Sequence, residues 1–251
     1  MAKKSLAVLV AAIMAVGGVF AQDNAQENAK PKPAFDISAG VGGLFIGDFG
    51  GGVEASASMS GQSISDKMEM PNSGGGGYVF VDATYAELTV AIAGGSGTFK
   101  STRTQPGQSD RSDESDMSMA NLNIGLLGKY PIAMNDKLTL FPLLGIDYAI
   151  CLSVKDEDGE EFKGMDGEGG PGDFSALWFK FGGGLDFALS EKLYLRFEAL
   201  YGLRLANTFE KDMKDQHDKG YEQAKNAGAD VDVKTLLGHG LTAKLAVGYR
   251  F

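Results

Sequence analysis

The chain ends with the stretch Leu241-Thr-Ala-Lys-Leu-Ala-Val-Gly-Tyr-Arg-Phe251, whose residues alternate in polarity down to the last one. The odd positions are apolar or aromatic, whereas the even positions are small or polar. Because successive side chains of a strand point to opposite faces, this alternation predicts a strand with one apolar face. A strand of about 9–11 residues tilted by roughly 45° is long enough to cross a bilayer. The stretch therefore predicts a membrane-spanning strand.

Seven earlier stretches alternate in the same way, so the sequence predicts eight strands. They cover residues 35–45, 78–85, 88–93, 121–130, 139–153, 177–189 and 193–204, followed by 241–251. Short connections alternate with long polar ones, which occupy residues 50–76, 100–116, 155–173 and 206–238. An even number of strands connected in this way is typical of bacterial membrane barrels. We therefore predict an all-β fold, an eight-stranded antiparallel up-and-down transmembrane β-barrel with short periplasmic turns and long extracellular loops.

Alternation alone does not tell whether the apolar face points into the ring or out of it. A soluble lipocalin-type barrel also alternates, but it places its apolar face inside. The interior of an eight-stranded barrel is only just wide enough for side chains to fill. With the apolar face inward, the sixth and seventh strands would add to that space Leu177, Phe179, Phe181, Leu185, Phe187, Leu195 and Phe197. We therefore expect the apolar face to meet lipid, with aromatic residues near both strand ends as interfacial girdles.

The opposite face then carries the charged residues of the strands. Because isolated charges in a narrow lumen are costly, we expect them to pair with one another. A structural plug of ion pairs is the first interpretation, and a gate or proton path is the second; both disfavour a wide aqueous pore. The predicted members are Lys129, Asp147, Lys180, Asp186, Arg196, Glu198, Lys244 and Arg250, with Asp36, Asp82 and Arg204 on the same face.

The beginning of the chain predicts export. Lys3 and Lys4 precede an apolar run from Leu6 to Phe20, and Ala21 can precede a cleavage site, so residues 1–21 are predicted to be a signal peptide. The apolar run is shorter than the ~20 residues that a spanning helix needs. Residues 22–33 are polar and end in prolines, which predicts a flexible leader, and residues 34–251 are predicted to form the barrel.

Charge and cysteine content exclude further classes. The formal net charge is -10 and no basic cluster is present, which argues against nucleic acid as a partner. Cys151 is the only cysteine, so an intramolecular disulfide is impossible, and we expect it to be a small packing residue within a strand. No cofactor is predicted.

Two histidines and one acidic segment are the candidates for chemistry. His239 could face Ser175 across the rim of the barrel, but no G-x-S-x-G motif is present and the strands that carry them are not neighbours. The other histidine, His217, lies in the last loop. On these grounds we predict that the protein is not an enzyme. The acidic segment suits hard divalent cations, yet Gly159 comes too early for an EF-hand. Its weak metal candidates are Asp156, Asp158, Glu160 and Glu161.

The first and last long loops carry local signals. The first is rich in Gly and Ser and is expected to be mobile. In the last, Phe209, Met213 and His217 recur every four residues, which predicts a short surface helix.

The ending Val247-Gly-Tyr-Arg-Phe251, the strand count and the loop asymmetry resemble small outer-membrane β-barrels of the OmpA/OmpX/OmpW-like superfamily. In that class the assembly machinery reads a C-terminal aromatic strand, so the resemblance makes Val247, Tyr249 and Phe251 the expected assembly signal. It also implies the bacterial outer membrane as the location, with outer-membrane lipid and the assembly machinery as partners.

For function, the resemblance implies a structural or adhesin-like role, in which the extracellular loops contact a host or surface ligand. The alternative that it implies is a narrow channel or lateral gate for small hydrophobic molecules. A lipid-modifying enzyme of the outer membrane is the third and weakest implication.

Overall fold

The computed structural model describes residues 36–161 and 170–251. The predicted signal peptide, the leader and residues 34–35 lie outside the described residues. Among those described, no helix is both long and apolar enough to cross a membrane. The α-helices are α1 (Thr208–Gly220) and α2 (Glu222–Asn226), and a 3₁₀ turn spans Pro171–Phe174. The strands are β1 (Ile37–Met59), β2 (Gln62–Glu69), β3 (Asn72–Ala83), β4 (Ala86–Thr104), β5 (Arg111–Lys129), β6 (Ile132–Ala133), β7 (Leu138–Asp156), β8 (Ala176–Ala188), β9 (Leu193–Asn207) and β10 (Asp230–Arg250).

Eight of these strands form a closed antiparallel ring. Its order is β1–β3–β4–β5–β7–β8–β9–β10, and β10 pairs with β1 from Ser38↔Arg250 to Ser58↔Asp230. Apart from this closure, neighbours in the ring follow one another along the chain, as in an up-and-down barrel. The predicted eight-stranded antiparallel barrel is confirmed.

The ring extends further at the end remote from Ile37 and Arg250 than the sequence predicts. β1 and β10 have 23 and 21 residues, about twice what a bilayer requires. The prediction of a long mobile loop over residues 50–76 is wrong: the chain turns at Ser60–Gly61 and returns as β2, which pairs with both β1 and β4. The prediction failed because Gly and Ser have little intrinsic strand preference, so here the pairing rather than the composition determines the strand.

Most of the other long polar segments are also structured. Strand pairing in β4 and β5 leaves only residues 105–110 of the second predicted loop outside a strand. The last predicted loop contains α1, α2 and the first part of β10. We call this end of the molecule the cap, formed by residues 50–71, 98–118, 151–161, 170–175 and 206–238.

The predicted short helix is present as α1. It begins after Asn207, whose side-chain oxygen accepts a hydrogen bond from the backbone N–H of Glu210 at 3.0 Å. Phe209 and Met213, on one side of the helix, are buried, and the ring of Phe209 stacks on that of Phe174 with centroids 4.4 Å apart. The helix therefore packs into the cap rather than lying free on the surface.

Below the cap, the outside of the ring is apolar. Large apolar side chains that are more than a third exposed recur at alternate positions of the strands, and the positions between them are mostly buried. The apolar face therefore points outward, as predicted, and the lipocalin-type alternative does not apply. Examples from all eight strands are Val41, Phe45, Val79, Val81, Leu88, Ile92, Ile124, Leu126, Ile146, Phe181, Phe187, Leu195, Phe197, Leu241 and Leu245.

Candidate functional site

The centre of the barrel interior is the guanidinium of Arg196, which is 1% exposed. Its Nε and Nη2 donate to the two carboxylate oxygens of Asp186 at 2.7 and 2.8 Å. Its Nη1 donates to Glu87 at 2.6 Å, and Nη2 also donates to Asp82 at 2.6 Å. A single cation from β9 thus pairs with carboxylates from β8, β4 and β3, which ties four strands together across the lumen.

Two lysines complete this arrangement, which we call the Arg196 cluster. Lys129 donates to the carboxylate of Asp82. The Nζ of Lys244 lies 3.0 Å from Glu198 and 3.7 Å from Glu87. Because these charged groups are buried, each depends on its partners rather than on water.

Three large rings fill the space around Arg196. The guanidinium lies 4.5 Å from the ring centroid of Phe80, 5.1 Å from that of Phe141 and 5.2 Å from that of Tyr194. The three rings are themselves at most 2% exposed, so charge and aromatic packing fill this level of the barrel.

The eight predicted network residues therefore separate into three groups. Lys129, Asp186, Arg196, Glu198 and Lys244 meet in the Arg196 cluster. Lys180 and Asp147 form a separate pair, 3.4 Å apart, nearer the cap. Arg250 lies at the opposite end, where its Nε is 3.8 Å from a half-exposed Asp36.

Sequence reasoning missed Glu87 as a member of the cluster. Residues 86–87 were assigned to a turn, whereas β4 begins at Ala86 and Glu87 is fully buried. The signal was present, because Glu87 has the same parity as the inward-facing Thr89 and one more step of alternation would have included it.

A small chamber of mixed polar and apolar lining lies between the Arg196 cluster and the cap. Its volume is about 40 Å³, and its lining includes Asn123, Asp147, Lys180 and Thr242. Since a buried water needs roughly 10–15 Å³ of this volume, the chamber has room for about three water molecules. It is too small to be an aqueous pore.

The cap end of the lumen is closed by α1. Its Met213 packs in one buried cluster with Val53 of β1, Met117 of β5 and Val154 of β7. A buried ion pair between Glu210 of α1 and Arg204 of β9 fixes the helix to the wall.

Two glycines make room for this ion pair. The guanidinium of Arg204 lies 5.5 Å from the ring centroid of Trp178 and directly over Gly51 and Gly238. A Cβ at either glycine would overlap the Arg204 side chain, and Gly51 also has a φ of +83°. Both glycines are therefore required by close approach of the arginine.

The cap carries an open cleft of about 780 Å³ between the strands β2, β4 and β5 and the helices α1 and α2. Asp66 joins the two sides. It accepts hydrogen bonds from Nε and Nη2 of Arg103 at 2.7 and 2.9 Å, and from the hydroxyl of Tyr221 at 2.7 Å. Partial burial raises the pKa of Asp66, but these donors outweigh it and hold the pKa below its usual value. Burial and the bond to Asp66 raise the pKa of Tyr221 to about 12.

The other predicted candidates do not assemble into a reactive site. The hydroxyl of Ser175 accepts from the backbone N–H of Cys151 at 3.2 Å, whereas His239 lies between the rings of Phe49 and Tyr201. Cys151 is buried in the same apolar cluster as Met213 of α1, which agrees with a packing role.

The acidic candidates lie at the end of β7. Asp156 accepts backbone hydrogen bonds from Asp158 and Glu160 at 3.1 and 3.0 Å, which is the geometry of a turn. Over residues 36–161 and 170–251, no group of three or more His, Cys, Asp or Glu side chains could hold a metal ion. Two further acidic residues of the same predicted loop, Asp166 and Glu168, lie outside the described residues.

The residues of the expected assembly signal lie on the outside of the ring. Val247 and Tyr249 are exposed, and the ring of Tyr249 meets that of Phe251 edge-on with centroids 5.5 Å apart. The backbone N–H of Phe251 donates to the carbonyl of Ile37 at 3.0 Å, which continues the closure of the ring.

No protein-family model matches the chain, and neither does any curated protein. Solved structures that it is similar to include the outer membrane protein OprG from Pseudomonas aeruginosa, with 11% identity, a TM-score of 0.39, and coverage of 87% of this chain and 96% of that one. Ail, the attachment invasion locus protein of Yersinia pestis, solved with the heparin analogue sucrose octasulfate, has 14% identity, a TM-score of 0.30, and coverage of 84% and 99%. The outer membrane protease OmpT from Escherichia coli has 8% identity, a TM-score of 0.33, and coverage of 90% and 99%. The likeness is one of architecture and does not extend to activity: the chain is similar to small bacterial outer-membrane β-barrels in being a closed antiparallel ring of strands.

Proposed function

We propose that the protein is an integral outer-membrane protein that acts at the cell surface through its cap, in a structural or adhesin-like role. The observation that carries this proposal is the blocked lumen. The Arg196 cluster fills the barrel at one level and α1 closes it at another, while the cleft of about 780 Å³ lies on the outer side of that closure.

The dimensions of the apolar belt support the placement in a membrane. On β1 the belt runs from Ile37 to Phe49, both of them more than a third exposed. These twelve steps, at about 3.3 Å each and a tilt of roughly 45°, span about 28 Å, close to the roughly 30 Å of a bilayer core. Exposed Tyr85, Tyr130 and Tyr249 lie at the turn end, as expected for an interfacial girdle.

In this placement the end of the ring that holds Ile37 and Arg250 faces the periplasm and the cap faces outward. Outer-membrane lipid contacts the belt, and Val247, Tyr249 and Phe251 act as the assembly signal. The proposed role requires neither a cofactor nor a catalytic group.

The experiment must distinguish this surface role from the alternative role of a channel. The protein, refolded into planar bilayers, should give no steady conductance, because neither the chamber nor the Arg196 cluster leaves an open path. Bacteria displaying the full chain should adhere to epithelial cells. A variant with residues 208–229 replaced by a short Gly-Ser turn should lose that adhesion and still insert.

Insertion of both proteins is checked by heat-modifiable migration on a gel. Steady conductance of the full chain would support the channel and overturn the proposal. Adhesion that is unchanged in the trimmed variant would overturn the role of the cap.

A further inference from the structure

The cleft in the cap has the size and the pre-formed geometry of a ligand site. Its volume of about 780 Å³ falls within the roughly 300–1,000 Å³ usual for small-molecule pockets. One wall comes from β2, β4 and β5, and the other from the helices, so the site exists only in the folded cap. Asp66, Arg103 and Tyr221 bridge the two walls with hydrogen bonds of 2.7 to 2.9 Å.

The bridge also orients an aromatic surface. Tyr221 is fixed by its hydroxyl bond to Asp66, and its ring stacks with that of His217, with centroids 6.3 Å apart and planes 28° from parallel. Both side chains line the cleft. Aromatic faces held in this way pack against flat, weakly polar surfaces such as the C–H face of a sugar ring.

The charges of the cleft cancel. Arg103 is paired with Asp66, and the Nε of Arg111 lies 3.5 Å from Asp113. The cleft therefore gives no net attraction for an anion or a cation. The amides of Gln216 and Gln223, which also line it, each offer donors and an acceptor without charge.

We infer that the cleft binds a neutral oligosaccharide. This ligand class combines flat C–H faces for the two rings with hydroxyl groups that both donate and accept hydrogen bonds, and it carries no charge. The inference rests on the proposed function, since it requires the cap to face the outside of the cell. It names the class of ligand that the surface role involves.

The test uses the full chain in lipid nanodiscs on a printed array of neutral, sialylated and sulfated oligosaccharides. Neutral glycans should bind. Tyr221→Ala, which removes one ring and the bond to Asp66, should weaken binding roughly tenfold or more. Gln223→Ala, an exposed change in α2 that leaves the bridge intact, should weaken binding by a smaller factor. Lys214→Ala is the matched control, because its exposed pair with Asp218 on α1 is not part of the cleft lining.

Three results would overturn the inference. These are no binding to neutral glycans, binding confined to sialylated or sulfated glycans, and equal binding by the wild type, Tyr221→Ala and Gln223→Ala. If cap-dependent adhesion persists while neutral glycans fail to bind, only the ligand class is wrong. Steady conductance of the full chain, together with no adhesion that depends on the cap, would instead overturn the proposed function itself.

Discussion

Replacing Arg196 with methionine should be among the most destabilising single changes in this barrel. Methionine keeps an unbranched apolar chain but leaves Asp82, Glu87 and Asp186 without their shared guanidinium. Removing one partner of a buried ion pair costs about 3–5 kcal/mol. Lys129 still contacts Asp82, and Lys244 lies 3.7 Å from Glu87, so both retain a cation.

The largest loss therefore falls on Asp186. Within the described residues, Arg196 is the only cation within ion-pair distance of this buried carboxylate. One orphaned carboxylate and two weakened ones place the expected loss in the free energy of unfolding at about 3–5 kcal/mol.

The measurement is a urea titration of the protein refolded into lipid vesicles, followed by the fluorescence of Trp178. This is the only tryptophan of the chain, and it contacts Arg204 rather than Arg196. The variant Arg196→Met with Asp186→Asn should recover part of the loss, because an amide is cheaper to bury than an unpaired carboxylate. Arg111→Met is the control, since its exposed pair with Asp113 should be worth only about 0–1 kcal/mol.

Two outcomes would refute this reasoning. A loss below about 1 kcal/mol for Arg196→Met would mean that the buried carboxylates do not depend on the guanidinium. A double variant no more stable than the single one would mean that the loss comes from packing against the rings rather than from charge.

Two further predictions concern the cap. Gly51→Ala and Gly238→Ala should each destabilise the closure by about 1–3 kcal/mol, because the new methyl group overlaps the Arg204 side chain. Faster protease cleavage within α1 should report this, whereas Gly170→Ala, outside α1 and with open space around the added methyl group, should leave the cleavage rate unchanged. For Tyr221, the raised pKa means that its stabilising bond to Asp66 is complete below the ordinary value of 10.0 and is lost as the pH rises toward about 12. The ultraviolet absorbance of the phenolate, compared between wild type and Tyr221→Phe, measures this; a difference spectrum that titrates near 10.0 would contradict the buried bond.

Within the belt, the sequence predicts which residues face lipid and which face the lumen, because a side chain in a strand can point to only two faces. Leu245 is exposed and Lys244 is buried, as alternation at the end of the chain requires. The partners across the lumen could not be predicted, because alternation says that Arg196 points inward but not which strands surround it.

The cap was missed because the parity changes within it. On β1 the inward residue is Leu44 below the cap but Val53 and Ala55 within it, and the change occurs across Gly50–Gly52, which all have positive φ. On β7 a bulge near Leu152 has the same effect. If the same positions are assumed to face inward along the whole strand, the alternation of apolar and polar residues disappears beyond these points. The sequence then predicts a loop.

The size of the interior side chains was also underestimated. The alternation of the strands predicts their charged residues on the inward face, yet the large rings of Phe80, Phe141 and Tyr194 are also buried there. Each pairs across the sheet with a glycine, namely Gly40, Gly184 and Gly248 respectively, and a Cβ at that glycine would overlap the ring. A large ring fits inside because its cross-strand neighbour is a glycine. The side-chain volume that decides which face points inward must therefore be summed over cross-strand pairs of residues rather than over single strands.

The distribution of ion pairs separates stability from recognition. Around Arg196 the pairs are buried, so loss of one partner costs several kcal/mol and the identity of each residue is constrained. In the cap, pairs such as Lys100–Glu114 and Lys234–Glu54 are largely exposed, and each is worth roughly 0–1 kcal/mol. Substitutions around the cleft should therefore have little effect on folding, since the closure by α1 rests on buried apolar contacts and on Arg204–Glu210. The proposed surface role fits this arrangement, in which the exposed pairs of the cap are supported by a barrel whose buried pairs tolerate little change.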